Sequence, residues 1–293
     1  MRRSIGKISA MLFAGVVMAG MSTGVSAAVA PGFTGVSDLQ YYENGQPSNK
    51  SGWVTYGKNH YYLNNGRAVT GWYTLPSFAG GKKTYRYYFG KKGNVSTDLY
   101  RTFGTTWMKK KLKVYVNLTT HNINLMAYNK QAKKYNIPVR AWVCSTARDG
   151  HSTRVGNYHL SRSSASSWFI YKRSNPHHYY QYKVKIHGTN MLFHSEMYRG
   201  TSKKKLLAYT YNGLGTNQST RCIRQQCGNA YLLYRTAKVN KHSIPVKIYR
   251  SSDKGAFGVR TIQNSGGKIS RKQRWDPTDP KFKNRKGSKW KEM

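Results

Sequence analysis

Residues 33 to about 105 repeat one pattern, and it constrains the fold more than any other feature of the chain. An aromatic run is followed by a turn and a return run: Tyr41-Tyr42 before Asn44-Gly45, Tyr61-Tyr62-Leu63 before Asn64-Asn65-Gly66, and Tyr87-Tyr88-Phe89 before Gly90 and Gly93. Gly52-Trp53 and Gly71-Trp72 recur at 71 − 52 = 19 residues. Asn-Gly pairs admit the positive φ values of tight hairpin turns. A period near 20 describes hairpins that bury their faces only against neighbours. From Met108 the pattern becomes alternation, as in half-buried strands. Leu112, Val114, Val116 and Leu118 alternate, then Val139, Ala141 and Val143, then Tyr180, Tyr182, Val184 and Ile186, and finally Ile244 to Tyr249. Only Cys227, Ala230, Tyr231 and Tyr234 follow helical spacing. With 24 Tyr and 28 Gly in 293 residues, a mainly β chain is expected. The tail over 252–293, rich in Lys, Gly, Ser and Pro, reads as a basic, loosely ordered surface extension.

Fifty Lys and Arg stand against nine Asp and Glu, a formal net charge of +41. Hydrophobic residues at 38% are too many for a disordered polybasic chain. Asp149 and Glu196 are the only acids between positions 106 and 251. Paired-carboxylate glycosidase chemistry, aspartyl protease dyads and carboxylate-held Mg²⁺ or Ca²⁺ therefore lack material there. At the start, Arg2, Arg3 and Lys7 precede an apolar stretch from Ala10 to Met21, and Val25-Ser26-Ala27 supplies small residues for cleavage. Residues 1–27 thus read as a secretory signal, its apolar run too short for a membrane span, and no later run reaches spanning length. Removing those three cations leaves 41 − 3 = +38. Such a field attracts polyanions at long range, and for an exported chain these are anionic cell-wall polymers rather than a specific nucleic acid.

Cys144, Cys222 and Cys227 are too few for a disulfide framework and match no zinc spacing. Cys144 ends an alternating strand and Cys227 lies on the core side of the helix, so both read as packed apolar groups, with a Cys222–Cys227 bridge as a further option. Cys222 lies in Ser219-Thr220-Arg221-Cys222-Ile223-Arg224, just upstream of the helix. Helix dipoles and two flanking arginines favour its thiolate. A histidine held by a backbone carbonyl would complete a nucleophile without any carboxylate. On spacing alone, a buried inert cysteine is the commoner outcome. His177-His178 and the runs Lys109-Lys110-Lys111 and Lys203 to Lys205 read as surface, the lysines as contacts to anionic wall.

The repeats over 33–105 resemble the cell-wall-binding, choline-binding-like repeats of Gram-positive surface proteins. Trp53, Tyr61, Tyr62, Trp72, Tyr87 and Tyr88 are their wall-binding candidates. Phe193-His194-Ser195, Leu214-Gly215 and Ser219 to Arg224 resemble the signature of L,D-transpeptidases (YkuD-type domain), where a His-Ser pair precedes Ser-His-Gly-Cys-Ile-Arg. Cys144-Ser145-Thr146, Thr153-Arg154-Val155-Gly156 and Trp275-Asp276-Pro277-Thr278-Asp279-Pro280 add likeness in matching order, from about Leu112 to Pro280. The resemblance implies Cys222 as nucleophile, His194 as base with Ser195 supporting it, and His187 of His187-Gly188-Thr189 as the alternative base. It places Arg221, Arg224, Ser219 and Thr220 at the oxyanion and substrate side. It implies no metal and no organic cofactor. The family attacks the third residue of a peptidoglycan stem peptide, releases D-alanine, and passes the acyl group from a thioester to an amine on a neighbouring stem. Three departures stand out. Arg221 replaces Gly and Thr220 replaces His in the motif, and Arg154 replaces Pro in the turn. The interval 219 − 194 − 1 = 24 is longer than usual, which implies an insertion, a lid or loop, near Lys203-Lys204-Lys205.

The expectation is a secreted, mainly β protein: a signal over 1–27, stacked β-hairpin repeats over 33–105, and a β-sandwich-like L,D-transpeptidase domain over 108–251 with one short helix after the catalytic Cys. A basic extension over 252–293 follows. Its expected partners are peptidoglycan stem peptides and anionic wall polymers. The alternative is a catalytically impaired wall-binding protein of the same fold, silenced by Arg221 and Thr220.

Overall fold

A computed structural model of the chain describes residues 29–172 and 174–290. The signal expected over 1–27 lies outside the described residues. The molecule is mainly β, as the alternation and the aromatic-glycine pattern predict.

The first repeats form strands β1 (Gly35–Ser37), β2 (Gln40–Glu43), β3 (Gln46–Pro47), β4 (Gly52–Tyr56), β5 (Asn59–Asn64) and β6 (Arg67–Ala68). These make one six-stranded sheet in the order β1-β2-β6-β5-β4, with β3 on β2. Asn44 and Gly45 sit at φ 53° and 82°, Asn65 and Gly66 at 48° and 79°, which is the positive-φ pair that a two-residue hairpin turn demands. At Gly66 nothing else fits, because a Cβ there would lie 1.9 Å from the Ser48 carbonyl oxygen. The third unit is a separate hairpin of β7 (Gly71–Pro76) and β8 (Thr84–Phe89).

A short helix α1 (Leu99–Phe103) links the repeats to the larger unit. Asp98 caps it by accepting from the amides of Tyr100 and Arg101, and the same carboxylate pairs with buried Arg140. The larger unit holds β9 (Leu112–Asn117), β10 (Asn122–Asn129), β11 (Lys134–Ala147), β12 (Gly156–Tyr171), β13 (His178–Ile186), β14 (Leu192–His194), β15 (Asn217–Ser219), β16 (Ile223–Gln225) and β17 (Pro245–Tyr249). Their order is β10-β9-β17-β12-β13-β14-β16-β11-β15, and β11 also pairs with β10. That last pairing closes the circuit, so the expected sandwich is barrel-like. Leu112, Val114 and Val116 are fully buried on one face of β9, where they meet Val246 and Ile248 of β17 in the main core. Two further helices follow, α2 (Ala208–Asn212) and α3 (Cys227–Val239). Only α3 was foreseeable from spacing, since single-turn helices such as α1 and α2 are too short to leave a period. In α3, Cys227, Ala230, Leu233 and Ala237 are buried, while Tyr231 and Tyr234 lean on Tyr182. Tyr182 has φ 55°, so the alternation read along β13 is interrupted there.

The tail is not a loose extension. Asp276, Thr278 and Asp279 are fully buried. The Asp276 carboxylate accepts from the Cys227 amide at 2.8 Å and Thr278 Oγ1 from the Gly228 amide at 2.9 Å, which caps α3. Lys-, Gly- and Ser-rich composition conceals this because a few side chains carry the contact. Packing also crosses the boundary at residue 105. Tyr87, Phe89 and Val95 share a core with Met126 of β10 and Ala256 and Phe257 of the tail.

Candidate active site

β14 and β16 run parallel, with Phe193 opposite Ile223 and His194 opposite Arg224. Phe193 and Ile223 are fully buried in the main core. Side chains alternate along a strand, so Leu192, His194, Arg224 and the preceding Cys222 share the opposite face. Continued by one residue, that register sets Cys222 beside Leu192 and two positions from His194 along the paired strand. The Leu192 amide faces the sulfur. All three cysteines are free, with Cys144 and Cys227 buried and Cys222 partly exposed, so Cys222 is not tied in a bridge.

His194 is buried, and its Nδ1 lies 2.7 Å from the Ser195 carbonyl oxygen. That contact requires the proton on Nδ1 and leaves Nε2 as the basic nitrogen. Ser195 supports the imidazole through this carbonyl. Its hydroxyl is engaged elsewhere, accepting from the Gln181 amide and donating to the Glu196 carbonyl. The Tyr180 ring lies 4.2 Å from the imidazole. Burial lowers the His194 pKa to about 3, which Arg224 reinforces and the Ser195 contact opposes. At neutral pH the ring is uncharged.

The loop carrying Cys222 is fixed by its carbonyls. Thr153 Oγ1 donates to the Arg221 carbonyl at 3.0 Å while accepting from the Ala147 amide, and Ser219 Oγ donates to the Cys222 carbonyl at 2.6 Å. Thr220 and Arg221 are exposed. Arg221 is not among the residues with positive φ. A side chain is therefore accommodated where the resembling motif has glycine.

One expectation is corrected. The thiol was expected to be acidified by a helix N-terminus, but β16 intervenes, and α3 begins at Cys227 with its first amides already capped by Asp276 and Thr278. Burial raises the Cys222 pKa, and the Leu192 amide, Arg224 and Arg221 offset this only in part. The resting pair is thiol and neutral imidazole.

Glu196 escaped sequence reasoning. It is fully buried beside Arg224, Oε2 to Nη1 at 4.0 Å, and burial raises its pKa to about 7 against the opposing pull of Arg224. Its position two residues after His194 was the available signal, but nothing local shows that Arg224 lies over it. His187 is exposed at the far end of β13, with its ring stacked on His159 at 4.5 Å. A cavity of about 460 Å³ opens beside the loop before Cys222, lined by Arg154, Lys185, Met191 and Arg221 among others. The segment expected as a lid is anchored, since Lys203 Nζ bonds Tyr182 and Asp279 and the Leu206 amide donates to the Arg274 carbonyl.

Several aromatic candidates of the repeats pack within the fold. Tyr87 is buried with its hydroxyl on the Ala256 carbonyl at 2.7 Å, and Tyr61 is buried in the first sheet. Trp53, partly exposed, packs among Tyr62, Phe78, Tyr87 and Phe89 and donates to the Pro76 carbonyl. Trp72 stacks on Phe103 and Trp107 and touches Tyr88, docking the third hairpin on the larger unit. Among the described residues no group of His, Cys, Asp and Glu is placed to hold a metal ion, and no helix is long and apolar enough to cross a membrane.

No protein-family model matches the chain, and no curated protein does. Solved structures do. An L,D-transpeptidase from Mycobacterium tuberculosis is 17% identical over 47% of this chain and 57% of its own, with a TM-score of 0.35. One from Mycobacterium smegmatis is 11% identical over 47% and 58%, also at 0.35. A fused Zn-dependent amidase/peptidase/peptidoglycan-binding domain-containing protein from Clostridium acetobutylicum is 17% identical over 47% and 52%, at 0.34. The likeness is weak. The chain spans between about half and three-fifths of these neighbours' lengths.

Proposed function

We propose that the protein is an exported peptidoglycan L,D-transpeptidase working through a Cys222 thioester. The observation that carries this reading is the placement of Cys222 and His194 on one face of paired parallel strands, with His194 Nδ1 tied to a carbonyl and Nε2 left basic. The order of the motif residues supports it. Nε2 takes the Sγ proton as sulfur bonds to the stem-peptide carbonyl carbon. Main-chain amides near Arg221 and Cys222 receive the negative charge on oxygen. The C–N bond then breaks, and the leaving D-alanine amine takes the proton from Nε2. An amine of a second stem attacks the thioester carbon and gives its proton to Nε2, and the thiol is restored as the C–S bond breaks. The cationic cavity at Arg154, Lys185 and Arg221 suits a carboxylate-bearing peptide. The net charge of +41 suits a wall rich in anionic polymers.

The test is covalent trapping. A carbapenem added to the full chain should give one adduct in intact-mass measurement that Cys222→Ala removes. Stem-peptide turnover should fall at least about 10³-fold in the same variant. Absence of both adduct and turnover would favour the second reading, a wall-binding protein without catalysis, for which Thr220 and the uncharged resting pair speak.

A further inference from the structure

We propose that a cleft on the far wall of α2 binds an anionic phosphodiester-linked polyol chain of the cell envelope. The cleft, of about 1030 Å³, lies between the segment around 199–213 and the tail around 268–274. Arg199, Lys204 and Lys205 line one wall and Lys268, Arg271 and Arg274 the other, and all six are exposed. Among the described residues no carboxylate lines it, and none of the ion pairs uses these six. Their field is therefore unopposed locally, and a cleft concentrates it.

The frame is rigid, which separates this site from a solvated charge run. The Leu206 amide donates to the Arg274 carbonyl at 2.9 Å. Asn212 both donates to the Ile269 carbonyl and accepts from its amide, each at 2.8 Å. Gln226 ties Tyr211 to the Ser265 carbonyl. The Arg199 and Arg271 guanidinium forks suit phosphate oxygens, Arg274 adds its charge while its Nη1 donates to the Arg271 carbonyl at 2.6 Å, and the ammonium groups supply further point charges. The volume suits several repeating units rather than one ion. Tyr209, 67% exposed, offers one apolar face to the carbon backbone of such a chain. A single aromatic is a poor platform for nucleic acid, which stacks successive bases on several rings. The envelope as source rests on the export reading of residues 1–27, while the site itself does not depend on Cys222.

The test is fluorescence anisotropy of a labelled, defined-length poly(glycerol phosphate) on the full chain across a salt series. The triple variant Lys204→Ala, Lys268→Ala, Arg271→Ala should weaken binding at least about tenfold and flatten the logarithmic salt slope by about 2. The control Lys91→Ala, Lys92→Ala, Lys130→Ala removes the same charge elsewhere and should change affinity less than about threefold. Tyr209→Ala should weaken the polyol polymer but not inorganic polyphosphate, which has no carbon face. Equal losses in both triple variants, or no binding by the wild type, would overturn the site. Tighter binding of single-stranded DNA of equal charge through the same cations would overturn its source. Carbapenem trapping is expected unchanged in the cleft variants, so this proposal and the catalytic one fail separately.

Discussion

His194 and Glu196 are buried two residues apart with opposite responses to pH, so their contributions to stability should nearly cancel until one is removed. Glu196 moves from an ordinary 4.5 to about 7 on folding, so its contribution is present below 4.5 and lost as pH rises through 7. By linkage this amounts to a loss on the order of 2–3 kcal/mol between pH 5 and pH 8. His194 moves from 6.5 to about 3, so its contribution is present above 6.5 and lost as pH falls toward 3. That gives a gain of about 2 kcal/mol over the same interval. Groups elsewhere titrate in both proteins and drop out of a comparison with the wild type. In Glu196→Gln the change in unfolding free energy from pH 5 to pH 8 should therefore be more positive than in the wild type by an amount on the order of 2–3 kcal/mol. In His194→Gln it should be more negative by about 2 kcal/mol. Urea unfolding at the two pH values measures both. Profiles for Glu196→Gln and wild type parallel to within about 0.5 kcal/mol would refute the reasoning, since an ionisable group that buried cannot be silent.

Three further outcomes are expected. Alkylation of the native chain should add one label, at Cys222, with a rate that climbs above the ordinary thiol range, while Cys144 and Cys227 label only after unfolding; a second native adduct in intact mass, or a rate already flat at neutral pH, would contradict the burial described. Asp276→Ala removes the acceptor for the Cys227 amide and for both donors of Thr278, and should cost about 3 kcal/mol in urea unfolding; a loss under about 1 kcal/mol would mean that water caps α3 equally well. Arg221→Gly relieves no strain, because φ there is not positive, so turnover should not rise and stability should fall by about 0.5–1 kcal/mol; a tenfold gain in turnover would show that the side chain, not the backbone, obstructs the site.

What could be read from the sequence was local. Asn44-Gly45 and Asn65-Gly66 specify their turns through their own φ preferences, and Leu112, Val114 and Val116 specify a strand face through period two. The Cys222–His194 relation depends on a parallel pairing between strands whose key residues are 222 − 194 = 28 positions apart, and no local rule encodes that. Placing Cys222 near a helix N-terminus came from chain proximity, yet three residues of strand intervene and turn the helix start toward the tail. The tail misled through its average composition. Asp276, Thr278 and Asp279 are few, and their partners in α3 and β13 are visible only once the chain has folded. The repeat aromatics were legible as strand formers, but whether a ring faces ligand or neighbour is set by what docks on it. Here Trp72 and Tyr87 meet the larger unit.

The charge of Arg224 alone does not make it an activator. Its field lowers the pKa of Cys222 and also that of His194, so in the proposed proton transfer it would favour the thiolate and oppose the imidazolium. Moving the proton from sulfur to Nε2 therefore gains at one end what it loses at the other, in proportion to the two distances from the guanidinium. Glu196 stands behind that guanidinium with a pKa of about 7. When it is ionised it offsets the charge of Arg224 and weakens both effects, and when it is protonated the full cation acts on both partners. Glu196 thus bears on the proposed pair only through Arg224.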